Sequence, residues 1–424
     1  MKWTTPSEAL THVTDGMRVF VASGAATPLS LVEALAVRGS EVRDVEVCHL
    51  LTLDKAPYLQ SELAGRLRHN AFFIGANARA AVHKGEADFT PVFLSEIASL
   101  FRGPMPVDVA LVQVTPPDAH GFCSLGVSVD IVKPALESAA IVIAEVNPKM
   151  PRTHGDAFIH SSAIHLAIEV DHELPELPGE TLDEDALAIG KHVAGLVKDG
   201  DTLQLGIGAV PNALLAALRD HCSLGIHTEM FSDGVMDLVM RGVIDNSAKT
   251  LHRGKLVTSF LMGSRALYRF VDDNPMVEMH PSHYVNDPFI VAKNKNMVAV
   301  NSALAVDLTG QVCADSLGPR FHSGVGGQVD FIRGAARSPG GRPIIALPST
   351  AKGGKLSRIV VELASGSGVT TTRNDVHFIV TEHGVAALHG CTIRERVKRL
   401  VAVAHPKFRD ELLAGARERC WSDA

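Results

Sequence analysis

Residues 202–220 read TLQLGIGAVPNALLAALRD, in which an apolar run precedes a glycine loop and a stretch of helical periodicity. We place the helix start at Pro211, because proline in the first turn of a helix lacks only a donor that would have no partner there. A strand followed by a loop and a helix is the repeating unit of parallel sheets covered by helices. This stretch therefore predicts the α/β fold class.

Other apolar runs extend the same pattern along the chain. VDVALVQV (107–114) and AAIVIAEV (139–146) are almost continuously apolar, which is typical of parallel strands buried on both faces. Two further βα units are predicted in LGIHTEMFSDGVMDLVMRGVI (224–244) and in DVHFIVTEHGVAALHG (375–390). Each of these two units has a carboxylate directly after its strand, which is where α/β sheets collect ligands.

The length of 424 residues predicts two or three domains, because one hydrophobic core rarely organises so many residues. Apolar periodicity lapses in ELPELPGETLDEDAL (173–187), which we interpret as a linker. We therefore expect an N-terminal α/β domain over 1–185 and a C-terminal α/β domain over 186–424. MVAVNSALAVDLTGQVCAD (297–315) resembles a hairpin that turns across 307–310, so the second domain is expected to be mixed.

Composition excludes several classes of function. The formal net charge is -7, and no run of Lys or Arg exceeds two residues, so the chain lacks the basic footprint of a nucleic-acid binder. No apolar stretch of about 18 residues predicts a membrane span, and we expect a cytoplasmic protein. The six cysteines form no C-x-x-C pair and lie at no zinc-ligand spacing, so no metal site is predicted.

Two glycine loops are candidate ligand sites. GIGAVP (206–211) follows a strand and opens a helix, so its backbone amides would favour a phosphate or an oxyanion. The alternative is that these glycines only permit a tight turn. SGVGGQVDF (323–331) has three glycines in four residues, which indicates a close approach of the backbone either to a ligand or to another segment of the chain.

Glu229 and Glu382 are the candidate catalytic carboxylates. Glu229 lies in HTEMFSDG, between a predicted strand and a helix that begins near Asp233. A carboxylate in that place can act as a nucleophile, or it can only complement the positive end of the following helix. Glu382 in VTEHG has a similar place, and Gly384 would let another group come near.

Several further motifs occur in unbroken order from about residue 10 to about residue 415. They are SGAATPLSLVEAL, PVFLSEI, VTPPDAHGFCSLGVS, LQLGIGAVPNALL, LGIHTEMFSDGVMDL, VNSALAVDLTGQV, SGVGGQVDFIRGA, IIALPSTAKGG, VTTTRNDVHFIVTEHGVA and LVAVAHPKFR. Together they resemble the acetyl-CoA hydrolase/transferase family, most closely its 4-hydroxybutyrate CoA-transferase branch. The resemblance implies two NagB/RpiA-like α/β/α domains with the active site between them, and a homodimer or homotetramer.

The resemblance also implies roles for individual residues. Glu229 would form the glutamyl-CoA thioester, and Glu382 would be a second active-site carboxylate. The residues implied to contact the coenzyme are Gly206, Ile207, Gly208, Ala209, Val210, Ala303, Gly326, Gly327 and Lys352. Two departures from the family pattern, His383 and Asn212, lie where they could alter which acid is accepted.

The implied activity is exchange of coenzyme A between acetyl-CoA, or a similar short acyl-CoA, and a small carboxylic acid such as 4-hydroxybutyrate or butyrate. Coenzyme A would be a substrate, and no permanently bound cofactor is expected. Hydrolysis of acyl-CoA is the alternative, because water competes for the same intermediates. A CoA-ester or sugar-phosphate sensor on the same scaffold is a third hypothesis, whereas a dinucleotide dehydrogenase would need a G-x-G-x-x-G after a strand.

Overall fold

The computed structural model describes residues 1–53, 55–177, 179 and 181–422. The predicted linker over 173–187 includes residues 178 and 180, which lie outside the described residues. The α-helices are α1 Pro6–Leu10, α2 Leu29–Arg38, α3 Arg79–Lys84, α4 Ile97–Phe101, α5 Val132–Ser138, α6 Glu184–Ala194, α7 Ala209–Ala217, α8 Asp233–Met240, α9 Arg265–Val271, α10 Ser282–Val285, α11 Pro288–Val291, α12 Gln328–Arg337, α13 Ile393–Val403 and α14 Arg409–Glu418.

The strands alternate with these helices along the chain. They are β1 Lys2–Trp3, β2 Arg18–Val21, β3 Val45–His49, β4 Leu67–Ala71, β5 Asp88–Phe89, β6 Val109–Val114, β7 Phe122–Ser124, β8 Ile141–Val146, β9 His154–Gly155, β10 Phe158–His160, β11 Leu166–Glu169, β12 Thr202–Gln204, β13 Gly225–Ile226, β14 Met230–Phe231, β15 Leu256–Thr258, β16 Phe260–Leu261, β17 Val277–Met279, β18 Met297–Asn301, β19 Ala305–Asp307, β20 Val312–Cys313, β21 Ser316–Leu317, β22 Arg320–Phe321, β23 Arg342–Ala346, β24 Thr350–Ala351, β25 Leu356–Ser357, β26 Ile359–Val360, β27 Phe378–Thr381 and β28 Gly384–Ala387.

The chain forms two compact units, one of residues 1–178 with 257–285 and the other of residues 179–256 with 286–424. The predicted fold class, α/β with two such units, is confirmed. The division of the chain into domains 1–185 and 186–424 stays a prediction. In the structure, residues 257–285 belong to the first compact unit. Within the described residues, no helix combines the length and the apolar character needed to cross a bilayer.

The first unit is organised by an eight-stranded sheet of order β1-β11-β8-β6-β2-β3-β4-β5. All of its neighbouring strands pair in parallel. The two runs predicted to be buried strands are β6 and β8, and every residue of β6 is buried. Apolar side chains of α1 and α2 pack with those of β2, β3 and β6 in one core cluster, as expected when helices cover a parallel sheet.

The second unit has a six-stranded sheet of order β13-β12-β18-β23-β27-β28. Its strands pair in parallel except for the last pair, β27 and β28, which is antiparallel. The predicted hairpin in 297–315 is confirmed for β19 and β20, which are antiparallel. β18 is the first run of that stretch, and it belongs instead to the parallel sheet.

Two local predictions in the second unit were wrong. The stretch 375–390 is not a βα unit but a hairpin of β27 and β28, with Thr381 opposite Gly384 and only two residues in the turn. Gly384 makes this possible with φ of 136°, which side-chain-bearing residues rarely adopt. The helix predicted to begin at Pro211 begins at Ala209, because the first turn of a helix accepts proline at any of its early positions.

Candidate active site

The candidate site residues of the second unit follow the carboxyl ends of its parallel strands. Because these strands run in one direction, their carboxyl ends lie at the same edge of the sheet. Gly326 and Gly327 directly precede α12, which connects β18 to β23. The other candidates follow β12 (206–210), β13 (Glu229), β18 (Ala303), β23 and β24 (Lys352) and β27 (Glu382).

The order of the strands marks where on this edge a ligand would bind. The chain leaves β12 to form β13 on one side and later returns to form β18 on the other side. Open α/β sheets bind ligands where successive connections diverge in this way. The amide Nδ2 of Asn301 at the end of β18 donates to Oε1 of Gln204 at the end of β12, at 3.0 Å. The glycine loop begins at Gly206, two residues after Gln204.

The loop over residues 206–210 leaves the N-terminus of α7 open. Gly208 is the residue before the helix and has φ of 116°, so the loop needs glycine there. No side chain among the described residues caps this end of α7. A side chain added at Gly206 would meet nothing within 4 Å, and Ile207 is 43% exposed. The first amides of α7 are therefore available to an anionic group.

Glu229 lies between β13 and β14, and its side chain is half-buried. Nδ2 of Asn286 donates a hydrogen bond to Oε2 of Glu229 at 3.0 Å. A Cβ added to Gly327 would overlap both Oε2 of Glu229 and Nδ2 of Asn286. The second glycine loop therefore closely approaches another segment of the chain, at the carboxylate of Glu229. Its contact with a ligand stays a prediction.

Thr228 ties the segment that carries Glu229 to the glycine loop. Its buried hydroxyl accepts a hydrogen bond from the backbone nitrogen of Leu205 at 3.2 Å. The same hydroxyl lies 2.9 Å from the carbonyl oxygen of Leu205 and 3.0 Å from that of Met230. Since Leu205 directly precedes Gly206, these bonds fix the position of Glu229 relative to the loop.

Glu382 occupies the turn between β27 and β28, and its described partners form a separate group. Its carboxylate accepts hydrogen bonds from the backbone nitrogen of Ser349, at 2.8 Å, and from the Ser349 hydroxyl. Nε2 of His383 lies 3.4 Å from Oε1. The side chain of Glu382 is only 9% exposed. Donors from Ser349 therefore reach both carboxylate oxygens of Glu382.

Ala303 and Lys352 have different surroundings. The carbonyl oxygen of Ala303 accepts a hydrogen bond from Nη1 of Arg358 at 3.1 Å. Burial lowers the pKa of the Arg358 guanidinium, and the negative charge of Glu382 opposes this effect. Lys352 is exposed at the turn of the β24–β25 hairpin, where its φ of 52° is unusual for a residue with a side chain.

At the equivalent edge of the sheet in the first unit, a buried side chain bonds to the first turn of the following helix. Strands β3-β2-β6-β8-β11 have the same order and direction as β13-β12-β18-β23-β27, and α2 follows β2 as α7 follows β12. The carboxylate of Glu145, fully buried on β8, accepts a hydrogen bond from the backbone nitrogen of Leu31 in the first turn of α2. One amide in the first turn of α2 thus bonds to a buried side chain, whereas no side chain among the described residues caps α7.

Sequence patterns did not single out Asn286, Thr228 or Ser349. Each acts on a candidate residue through a contact that depends on the fold, and Asn286 lies 57 positions from Glu229 in the chain. Only Thr228 had a local signal, since it lies directly before Glu229 in the strand-end segment. Polar residues at strand ends are common enough that this signal alone could not single it out.

Family models for acetyl-CoA hydrolase/transferase match this chain in two parts. The N-terminal domain model matches residues 1–177, and the C-terminal domain model matches residues 263–416. The chain belongs to the acetyl-CoA hydrolase/transferase family. The predicted family resemblance is thereby confirmed.

Individual members of the acetyl-CoA hydrolase/transferase family are similar over nearly the whole chain. The 4-hydroxybutyrate coenzyme A transferase of Clostridium kluyveri is 51% identical over 99% of this chain and 98% of its own. The succinyl-CoA:cyclohexane-1-carboxylate CoA transferase of Geobacter metallireducens is 44% identical over 97% and 94%. The crystal structure of RipA from Yersinia pestis superposes with a TM-score of 0.94, at 38% identity over 99% and 98%. The named relatives confirm the predicted enzyme class, an acyl-CoA:carboxylate CoA-transferase.

Proposed function

We propose that the protein transfers coenzyme A between a short acyl-CoA, such as acetyl-CoA, and a small carboxylate, such as 4-hydroxybutyrate or butyrate, with Glu229 as the nucleophile. The observation that carries the proposal is the half-buried carboxylate of Glu229, fixed at Oε2 by Asn286 and Gly327 beside the open glycine loop. The C. kluyveri relative named for 4-hydroxybutyrate supports the choice of acid.

The reaction takes place in two half-reactions. One oxygen of Glu229 bonds to the acyl carbonyl carbon, the carbon–sulfur bond breaks, and CoA leaves as a thiolate. The thiolate then attacks Cδ of Glu229 in the acyl-glutamyl anhydride, which releases the acid as its carboxylate and leaves a glutamyl-CoA thioester. A second carboxylate reverses these steps, so the energy of the thioester bond is kept in each intermediate and no nucleotide is consumed. This is a ping-pong mechanism.

The coenzyme would bind along the glycine loop. The open N-terminus of α7 suits an oxyanion or a phosphate group, and the exposed ammonium of Lys352 suits a phosphate. Gly326 and Gly327 would leave room for the thioester beside Glu229, because neither has a side chain. The residues proposed to contact the coenzyme are Gly206, Ile207, Gly208, Ala209, Val210, Ala303, Gly326, Gly327 and Lys352.

For Glu382 we propose an orienting role. The two donors of Ser349 hold the carboxylate in one orientation, which supports a role in orienting the reacting groups. Glu382 is therefore expected to influence the rate of exchange without bearing the covalent intermediate.

Covalent trapping tests the assignment of Glu229. Enzyme incubated with acetyl-CoA and treated with borohydride should lose activity, and peptide mapping should find the changed mass at Glu229. Glu229→Gln should abolish both trapping and exchange, whereas Glu411→Gln, on the exposed face of α14, should leave both unchanged. A changed mass at Glu382, or full exchange activity in Glu229→Ala, would overturn the proposal.

Steady-state kinetics separate the transferase from the hydrolase. Acetyl-CoA alone should release acetate in an amount stoichiometric with sites and then nearly stop, and butyrate or 4-hydroxybutyrate should restart turnover. Initial rates against both substrates should give parallel lines. Steady CoA release at a rate that added acids do not change would instead identify an acyl-CoA hydrolase.

The assembly into a homodimer or homotetramer and the cytoplasmic location stay predictions.

A further inference from the structure

Arg358 lies at the edge of the second sheet that carries the candidate site residues. It follows β25 and precedes β26. Its backbone nitrogen donates to the carbonyl oxygen of Ser349 at 2.8 Å, and its Nη1 donates to that of Ala303 at 3.1 Å. Ala303 comes after β18 and Ser349 comes after β23, and these strands are neighbours in the sheet. The guanidinium is therefore held beside two adjacent strand ends.

The guanidinium of Arg358 uses few of its donors within the protein. Arginine has five N–H donors, and the bond from Nη1 to Ala303 is the only hydrogen bond that this side chain makes among the described residues. Its Nε is buried and has no partner among them. Nε and Nη2 form one edge of the planar group, which fits two oxygens of a carboxylate or a phosphate. That edge is not used by the part of the chain that the structure describes.

No carboxylate among the described residues lies within ion-pairing distance of Arg358. Burial lowers the pKa of its guanidinium and the charge of Glu382 opposes this effect, but both oxygens of Glu382 are bonded to Ser349. Arg342 differs, because its Nη2 lies 2.6 Å from the buried carboxylate of Asp201. A buried cation without a paired anion is energetically unfavourable. Binding of an anion would remove this cost.

We propose that Arg358 is a binding residue for an anion, which its Nε and Nη2 hold by two parallel hydrogen bonds. The inference rests on the proposed function, because that reaction supplies two kinds of anion, the carboxylate of the small acid and the phosphate groups of the coenzyme. Both kinds present a pair of oxygens to the same donors. Arg358 is only half-buried, so a ligand can approach the guanidinium from solvent.

Arg358→Met is the first test, because it removes the charge and all of the donors. It should raise the KM of one substrate by about 10- to 100-fold, the usual effect of losing a hydrogen-bonded charged group. Arg358→Lys keeps the charge without the paired donors and should recover part of this loss. Arg417→Met makes the same change in net charge at an exposed position of α14 and should keep both KM values. Wild-type KM values for both substrates in Arg358→Met would overturn the inference.

The substrate whose KM rises identifies the anion. A rise for butyrate, with acetyl-CoA unchanged, means that Arg358 holds the carboxylate of the acid. A rise for acetyl-CoA, with no change for S-acetylpantetheine, means that it holds a phosphate, because S-acetylpantetheine lacks every phosphate group of the coenzyme. An equal rise for both thioesters, with butyrate unchanged, would place Arg358 at an uncharged part of the donor and overturn the inference.

Thermal melting separates anion binding from a structural role and needs no turnover. Butyrate and inorganic pyrophosphate are the probes, and the one that Arg358 holds should raise the melting temperature of the wild type and of Arg417→Met. This rise should be lost or reduced in Arg358→Met. Without added anion, Arg358→Met should melt closer to the wild type than Arg342→Met does, because Arg342→Met leaves Asp201 buried without its cation. Equal responses of Arg358→Met and the wild type to both probes would overturn the inference.

Covalent trapping separates failure of this inference from failure of the proposed function. If wild-type enzyme mixed with acetyl-CoA forms no adduct at Glu229, the proposed function fails, and the melting experiment still tests whether Arg358 binds an anion. If the wild type forms the adduct and Arg358→Met matches it in both KM values and in its melting response, only the role of Arg358 is overturned. An adduct in the wild type, with a raised KM and a lost melting response in Arg358→Met, is the result we expect.

Discussion

Ser349 donates to both carboxylate oxygens of Glu382, from its backbone nitrogen at 2.8 Å and from its hydroxyl. Ser349 follows β23 and Glu382 follows β27, and these two strands are direct neighbours in the sheet. The bonds therefore join two adjacent strand ends at the edge that carries the other candidate residues. They also fix the orientation of a carboxylate that the fold leaves only slightly exposed.

Ser349→Ala should slow exchange without preventing formation of the covalent intermediate at Glu229. The substitution removes one hydrogen bond to a charged group, worth about 1.5 to 3 kcal/mol, which corresponds to roughly a 10- to 100-fold loss in kcat/KM if Glu382 contacts the reacting acid. Ser357→Ala removes a hydroxyl that bonds instead to the carbonyl oxygen of Ile359 and should keep wild-type kinetics. Unchanged kinetics in Ser349→Ala would argue against an orienting role for Glu382.

Gly327→Ala should abolish exchange while the protein remains folded. The added methyl group would overlap Oε2 of Glu229 and Nδ2 of Asn286, so the carboxylate must leave the position that both residues define. Gly195→Ala is the control, because its Cβ would meet only ordinary contacts, the nearest at 3.4 Å. Borohydride trapping and thermal melting of both variants provide the measurement. Normal trapping in Gly327→Ala would show that the exact position of Glu229 is not required.

Features that depend on short-range pattern were predictable from the sequence. β6 and β8 are buried on both faces, so their residues had to be apolar at nearly every position, and the pattern identified them. Glu229 was identifiable because it lies three residues after the end of β13 and precedes α8, which does begin at Asp233. In both cases, residues next to one another in the chain decide the structure.

Features that depend on tertiary packing were not predictable in this way. The segment around Glu382 was misinterpreted as a βα unit, because a strand followed by a glycine is compatible with both a helix and a two-residue hairpin turn. The close approach of Gly327 to Glu229 joins two segments that are distant in the chain, and no periodicity encodes it. The packing of α11 on α12 is also a tertiary contact, and Asn286, which lies just before α11, had no sequence signal.

His69 should make the first unit sensitive to acid. Burial lowers the pKa of His69 from 6.5 to about 4, and that of His49, stacked on it at 4.2 Å, is also lowered. The unfolded chain therefore binds a proton that the folded chain does not, so stability falls as pH decreases from about 6.5 towards 4. For His69 alone the loss is on the order of 3 kcal/mol.

Urea unfolding at a series of pH values measures this effect. His69→Leu should lose about 1 kcal/mol at neutral pH, because Nδ1 of His69 bonds to the carbonyl oxygen of Val47 at 2.9 Å. The variant should then show a weaker dependence on pH than the wild type below about pH 6.5. His120→Leu, at an exposed position, should retain the wild-type dependence. Equal acid sensitivity of His69→Leu and the wild type would contradict the assignment.

The last prediction concerns Glu145, which bonds to the first turn of α2 in the first unit, whereas the corresponding end of α7 in the second unit has no such side chain among the described residues. Its Oε1 accepts from the nitrogen of Leu31 at 2.8 Å, and its Oε2 lies 3.3 Å from Nε2 of His172. This hydrogen bond raises the pKa of His172. The protonated pair therefore adds stability that is complete below the unfolded pKa of about 6.5 and is lost as pH rises through the folded pKa.

Glu145→Gln keeps an oxygen that can accept from the nitrogen of Leu31, but it removes the negative charge that interacts with His172. Its deficit in unfolding free energy relative to the wild type should therefore be larger near pH 5.5 than near pH 8.5. Glu145→Ala should lose about 1 to 3 kcal/mol at both pH values, because the buried nitrogen of Leu31 then has no acceptor. Both variants should keep wild-type trapping at Glu229, since the open loop that we assign to the coenzyme belongs to α7 and not to α2. If Glu145→Gln lowers the free energy of unfolding equally at both pH values, His172 does not interact with the charge of Glu145. If either variant loses trapping at Glu229, the N-terminus of α2 also contributes to the reaction.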